Sequence, residues 1–206
     1  MKVAGIYLAA GTARRAGAPK VPLKLSQQVP LESLVVRELE RCALDPLIVV
    51  VRADDNLEWL PPATEPGARR TETCLTAHLG LSFSLRCGLN AILPLQPDAV
   101  VVAIADQPFV TASLVNRLKD MYVRNPELDY VAGTAEGLAM PPALFSRKMF
   151  TVLQGLDEEE GTAGILRSSD YKGVVLEPGP AGIFMDTAAR FDYDEASTEW
   201  SVRREN

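Results

Sequence analysis

The sequence predicts an α/β protein built on a mostly parallel sheet. Two observations predict it: short apolar runs alternate with segments whose apolar residues recur at helical spacing, and the runs end on residues able to do chemistry. Gly11, Asp106 and Asp186 each follow such a run. In open α/β sheets, ligands gather beyond the carboxyl ends of the strands.

Val3 to Ala9 is an apolar run too short for a buried helix and reads as the first strand. From Pro30, PLESLVVRELERCAL places Leu34, Val35, Leu39 and Cys42 at helical spacing, and Pro46 ends that helix before a second strand, Leu47 to Val51. A polar, proline-rich stretch fills Arg52 to Arg70. The spacing of Leu85, Leu89 and Ile92 predicts a helix over Leu81 to Leu93, with Ser82 or Ser84 as its cap. Ala99 to Ala105 is a continuous apolar run stopping at Asp106-Gln107-Pro108. Thr111 then caps a helix whose apolar face is Leu114, Val115, Leu118, Met121 and Tyr122. Further strands are expected at Tyr130 to Thr134, Val174 to Leu176 and Ile183 to Met185, and a helix at Pro142 to Leu153. The tail from Glu195 is at most weakly helical.

Length fits one domain over residues 1–206, since 206 residues divided by roughly 150 per domain leave no room for a second module. The chain is 47% hydrophobic and 23% charged, an ordinary globular balance. With 21 basic and 27 acidic side chains the net charge is −6, which disfavours nucleic acid and anionic membranes as partners. Cys42, Cys74 and Cys87 fit neither a disulfide framework nor a C-x-x-C metal site, and no window is long and apolar enough to span a bilayer. A cytoplasmic location is expected.

The first strand feeds LAAGTARRAGAPK (Leu8 to Lys20), where small residues let backbone N–H groups approach an anion and Arg15 and Lys20 supply charge for phosphate oxygens. Arg14 and Lys24 add to this basic cluster in an otherwise acidic chain. It is neither a GxxxxGK[ST] nor a GxGxxG loop. Asp106, ending the strongest strand, is placed to hold a hard divalent ion such as Mg²⁺ beside substrate phosphates, and Asp186 is a second carboxylate of that kind. Either aspartate would equally serve as a helix cap or turn former. His78 is the only histidine and no G-x-S-x-G is present, so a histidine-rich zinc site or a serine triad is disfavoured. The run Asp157-Glu158-Glu159-Glu160 reads as a solvated face or helix start rather than a metal site.

These residues carry a family resemblance. LAAGTARRAGAPK resembles the LAAGxSxRMGxxK signature, and ADQPFVT (Ala105 to Thr111) the ADQP motif, of nucleotidyltransferases that act on the molybdenum cofactor, in the MobA-like NTP transferase superfamily. GLSFSLRCGL (Gly80 to Leu89) is similar to their G-x-S-x-S-[IL]-R-x-G-[LI] pattern, and FMDTAARFD (Phe184 to Asp192) resembles DIDTPED. The resemblance implies a three-layer Rossmann-like fold with a nucleotide-binding half over about 1–110 and an acceptor-binding half over about 111–206. The LAAG form resembles the cytidylyltransferase branch, which includes accessory proteins for xanthine dehydrogenase-type enzymes.

That branch implies transfer from CTP to molybdopterin-bound molybdenum, giving the cytosine dinucleotide cofactor and pyrophosphate. CTP, the molybdopterin cofactor and a molybdenum hydroxylase apoenzyme would be the partners. By the same resemblance, Leu8, Ala9, Ala10, Gly11, Ser82 and Ser84 would line the nucleotide site. Arg15, Lys20 and Asp106 would both bind the nucleotide and carry catalysis, and Asp106 and Asp186 would hold Mg²⁺ or Mn²⁺. Ala16 stands where the family has Met. On the acceptor side, Met140 replaces the Gly of a GHP-type loop, and EEEGTAGIL (Glu158 to Leu166) keeps Gly161 of a GDxGAR-like segment but has Ala163 in place of its arginine. Transfer to another phosphorylated acceptor such as a sugar phosphate, or a non-catalytic maturation chaperone, is the alternative.

Overall fold

The computed structural model describes residues 1–11, 24–25, 29–105, 107, 110–135, 137–157 and 161–176. Its nine strands are β1 (Val3–Leu8), β2 (Lys24–Leu25), β3 (Val29–Pro30), β4 (Leu47–Arg52), β5 (Arg70–Cys74), β6 (Ala99–Ile104), β7 (Tyr130–Ala135), β8 (Leu138–Ser146) and β9 (Gly173–Leu176), counted among the described residues. The helices are α1 (Leu31–Glu40), α2 (Leu81–Ile92), α3 (Ala112–Arg124), α4 (Phe150–Gln154) and α5 (Gly161–Arg167).

Seven strands form one sheet in the order β5-β4-β1-β6-β8-β7-β9, while β2 and β3 pair separately. β1 pairs in parallel with β4 on one side and with β6 on the other. Only β8 runs antiparallel to its neighbours in this sheet. The chain therefore steps outward from β1 to β4 and β5, then returns to β1's other side at β6. In sheets of this kind ligands bind beyond the carboxyl ends of the strands at such a reversal, here those of β1 and β6.

Alternation along the strands sends Tyr7, Val49 and Val101 into a core shared with α1 and α3, and Ile6, Val50 and Val102 into the opposite core under α2, α4 and α5. The result is three layers with β1, β4 and β6 buried on both faces, which is why these three strands read as unbroken apolar runs. Gly88 brings α2 close to the sheet, since a Cβ there would lie 2.7 Å from Ile6 Cγ2 and 3.1 Å from Val50 Cγ2.

The expected helix start at Thr111 is observed, its hydroxyl accepting the Leu114 N–H at 3.3 Å. Glu38 of α1 reinforces it by accepting the Ala112 N–H at 2.7 Å, a carboxylate at the positive end of a helix dipole. Two expectations are corrected. Pro142 to Leu153 is not one helix: β8 takes its first part and α4 covers only Phe150–Gln154. β8 is buried along Pro141–Ser146, and the register against β7 shifts between Ala132 and Gly133, where Pro141 and Pro142 lie opposite no ladder partner. Proline, lacking an N–H, is tolerated at such an irregularity. The stretch before residue 70 leads into a strand not foreseen, β5, whose residues are mostly exposed at the sheet edge.

Between β4 and β5 the chain is anchored from within. Arg69 forms a buried ion pair with Glu40 of α1 and also donates to the Pro61 carbonyl. Trp59 packs edge-on against Tyr7, with ring centroids 6.3 Å apart.

Candidate functional site

The segment expected to hold phosphates begins where β1 runs out. Ala9 donates to the Val50 carbonyl at 2.9 Å, and Ala105 donates to the Leu8 carbonyl at 3.1 Å, so the chain is gripped from both flanking strands up to that point. Leu8, Ala9 and Ala10 are buried, and Gly11 emerges into solvent. No described atom lies within 4 Å of where a Gly11 Cβ would be. Among the described residues, packing therefore does not demand a glycine there.

The motif Ala105-Asp106-Gln107 ends β6 directly beside it. Asp106 lies outside the described residues, but its neighbours are fixed: Gln107 donates its backbone N–H to Ile104 at 3.2 Å, and Val110 donates to the Gln107 carbonyl at 3.3 Å. The Gln107 side chain is buried with its Oε1 unpartnered, and Thr134, near the carboxyl end of β7, is buried with its hydroxyl unpartnered. Buried polar atoms are normally satisfied, so these two, without partners among the described residues near the carboxyl ends of β6 and β7, are candidates for contact with a polar ligand. Residue typing alone missed both; Gln107 sits inside the ADQP motif, but the only sign at Thr134 is a hydroxyl in an otherwise small and apolar strand.

A third component comes from α2. A 3-10 turn over Ala77–Leu79 joins the carboxyl end of β5 to this helix, so α2 starts at the same edge of the sheet. Neither Ser82 nor Ser84 caps it, contrary to expectation. The N-cap is Gly80 at φ 139°, which makes no side-chain cap bond, and no side chain among the described residues bonds the first-turn N–H groups. That φ lies where side-chain-bearing residues are strained, which accounts for the glycine. Ser82 and Ser84 are each 1% exposed, and the Ser82 hydroxyl has no partner. An uncapped helix start offers N–H groups and a positive dipole end to an anion, and the buried hydroxyl adds a further donor.

The remaining chemistry is quiet. Burial raises the Cys42 thiol to about 11. It also raises the Cys87 thiol, with Cys74 beside it, to about 12. Both stay protonated near neutral pH and are poor nucleophiles. His78 is exposed on the 3-10 turn, as expected for a residue without a catalytic role. Arg15, Lys20 and Asp186 lie outside the described residues, as do Glu158, Glu159 and Glu160 of the acidic run. Among the described residues no cluster of three or more His, Cys, Asp or Glu side chains could hold a metal, and no helix is long and apolar enough to cross a membrane.

A mostly parallel sheet covered by helices on both faces, with its winding reversed at β1 and β6, defines a Rossmann-like α/β fold, and comparison with known proteins gives its class. Residues 5–174 match the MobA-like NTP transferase domain. The chain belongs to that family and is a nucleotidyltransferase. It is 30% identical over 196 residues to the purine catabolism protein PucB of Bacillus subtilis, covering 92% of this chain and 93% of PucB. Among solved structures, the Rv0371c homologue from Mycobacterium sp. strain JC1 superposes with a TM-score of 0.77 at 25% identity, covering 100% of both chains. Rv0371c of Mycobacterium tuberculosis H37Rv, solved in complex with manganese, gives 0.71 at 18% identity, covering 96% of this chain and 99% of that one. CMP:2-keto-3-deoxy-manno-octonic acid synthetase, complexed with CTP, gives 0.70 at 11% identity, covering 98% and 100%. The last two likenesses are of fold.

Proposed function

We propose that this nucleotidyltransferase moves the cytidylyl group of CTP onto the terminal phosphate of the molybdopterin that carries molybdenum, releasing pyrophosphate and supplying a xanthine dehydrogenase-type enzyme in the cytoplasm. The observation that supports the reading is that the end of β1, where the buried Leu8-Ala9-Ala10 gives way to the exposed Gly11, lies at the same sheet edge as the start of α2, which carries no N-cap side chain and whose buried Ser82 hydroxyl has no partner among the described residues. A relative named for purine catabolism fits a recipient enzyme that hydroxylates purines.

Such a transfer needs no general base. The terminal phosphate of the pterin is already largely anionic at neutral pH. One of its oxygens attacks the α-phosphorus of CTP, a new P–O bond forms, the bond to the β-phosphate breaks, and pyrophosphate leaves with the electron pair. The protein's task is alignment and neutralisation of charge on the leaving group. In this reading Gly11, Arg15 and Lys20 hold the triphosphate, and Ser82, Ser84 and the first turn of α2 hold the nucleotide. Asp106 and Asp186, both oxygen donors, would hold Mg²⁺ or Mn²⁺, which would supply further charge neutralisation.

A second reading, transfer to another phosphorylated acceptor such as a sugar phosphate, draws on the acceptor-side departures at Met140 and Ala163. The deciding experiment is pyrophosphate release with Mg²⁺ and molybdenum cofactor in parallel reactions with CTP, GTP, ATP and UTP. Release with CTP alone, lost by roughly 10²-fold or more in Asp106→Ala at unchanged melting temperature, is expected. Release with a sugar phosphate instead of the cofactor establishes the second reading. Nucleotide binding without release under any condition overturns both in favour of a chaperone, and an Asp106→Ala variant with full rate removes that residue from the site.

A further inference from the structure

We infer that Arg86 is a positioning residue that fastens the start of α2 to the acceptor half of the molecule, and that nucleotide affinity depends on it. The inference rests on the proposal that the first turn of α2 receives the nucleotide.

The first turn of α2 has a fastening problem. Gly80 provides no side-chain cap, and the first-turn N–H groups are unbonded within the helix. On the sheet side, Ser82 and Ser84 are buried, the Cys74 thiol donates to the Phe83 carbonyl at 3.8 Å, and Gly88 seats the helix against Ile6 and Val50 nearly two turns further along. Something must hold the other side if the N–H groups and serine hydroxyls are to meet a ligand within the roughly 0.5 Å that productive geometry requires.

Arg86 is placed to do this. Its guanidinium lies over the Phe83 ring, 4.5 Å from the centroid, so it is stacked against its own helix's first turn. Its Nη2 donates to the Leu156 carbonyl at 2.9 Å, across 70 residues of chain, in the connection between α4 and α5. A planar fork stacked on a ring while donating at its end is a geometry lysine cannot reproduce. Arg86 forms no ion pair among the described residues, and its buried Nε has no hydrogen-bond partner. A guanidinium held by a ring and one carbonyl, with no carboxylate, is an expensive way to obtain stability alone. Arg86 also stands four residues after Ser82, on the same side of the helix, so the two unpartnered buried groups share one face.

Amide hydrogen exchange on the ligand-free protein and steady-state kinetics together test the inference. In Arg86→Ala, amides of residues 85–88 are expected to exchange faster while those of residues 89–92 stay unchanged. The KM for CTP should rise about tenfold with kcat within about twofold, the signature of lost ground-state binding. Millimolar guanidinium chloride, against equal sodium chloride, should restore part of the KM, and Arg86→Lys should not. Gln154→Ala, which removes the separate 3.2 Å bridge from α4 to Asn90, should leave KM at the wild-type value. Wild-type exchange in Arg86→Ala overturns the inference, as does a loss that Gln154→Ala reproduces or that guanidinium leaves untouched. If the wild-type protein fails to turn over CTP, the proposed function falls, while the exchange pattern still decides whether Arg86 fastens α2.

Discussion

Replacing Gly88 with alanine tests whether the close seating of α2 is required. The new methyl would lie 2.7 Å from Ile6 Cγ2, 3.1 Å from Val50 Cγ2 and 3.2 Å from Ile6 Cδ1, against a comfortable carbon separation of about 3.5–4.0 Å. Ile6 and Val50 are buried in β1 and β4 with no exposed direction for retreat, so α2 must move outward or the strands must deform. With one contact at 2.7 Å and both neighbours buried and β-branched, the upper part of the usual overpacking cost applies, about 2–3 kcal/mol. Alanine recovers up to about 1 kcal/mol of helix propensity over glycine. The net expectation is a loss of about 1–2 kcal/mol, which for a chain of this size lowers the melting temperature by about 2–8 °C. Calorimetry and urea denaturation measure it directly. Because the displacement occurs on the helix proposed to receive the nucleotide, CTP affinity should fall as well. A variant as stable as the wild type, with unchanged affinity, would refute the argument that seating depth sets the position of the first turn.

Removing Glu40 as Glu40→Ala strands Arg69, whose side chain is only 7% exposed while that of Glu40 is 0% exposed. An uncompensated buried charge costs about 3–5 kcal/mol, so urea denaturation should show a large loss, and Glu40→Ala/Arg69→Met should recover part of it. Stability should also decline at alkaline pH through Cys42. Its thiol is raised from 9.0 to about 11 by burial. The unfolded chain therefore loses this proton first, and stability falls as pH rises between those two values. Cys42→Ala should flatten that part of the pH profile in denaturation experiments, and an unchanged slope would show that the thiol contributes nothing there.

Local pattern reached far into this protein where one strand or helix carries its own signal. β1, β4 and β6 are unbroken apolar runs because each is covered on both faces, and Thr111 announces α3 by a hydroxyl in front of an amphipathic stretch. The pattern failed where burial depends on partners distant in sequence. β5 is an edge strand of mixed polarity, given its conformation by pairing with β4 rather than by its side chains. In β8, two prolines and a helical-looking spacing conceal a strand buried between β6 and β7. Ser82 and Ser84 look like caps by type, yet packing turns both inward and leaves the cap to a glycine at positive φ.

The sequence by itself determined the class: an α/β chain, the strand-ending positions at Gly11 and Asp106, and the motifs that mark a MobA-like nucleotidyltransferase. Hydrophobic period and motif spacing are properties of neighbouring residues, so they survive without coordinates. Only the tertiary structure decided that β1 and β6 lie side by side at the reversal of winding and that α2 begins uncapped at the same edge. It also placed Gln107, Thr134 and Ser82 there as buried groups without partners, and carried Arg86 across to Leu156. Those relations join segments far apart in the chain, 96 residues for β1 and β6 and 70 for Arg86 and Leu156, and they come into being only when the sheet's pairing order closes the distances between them.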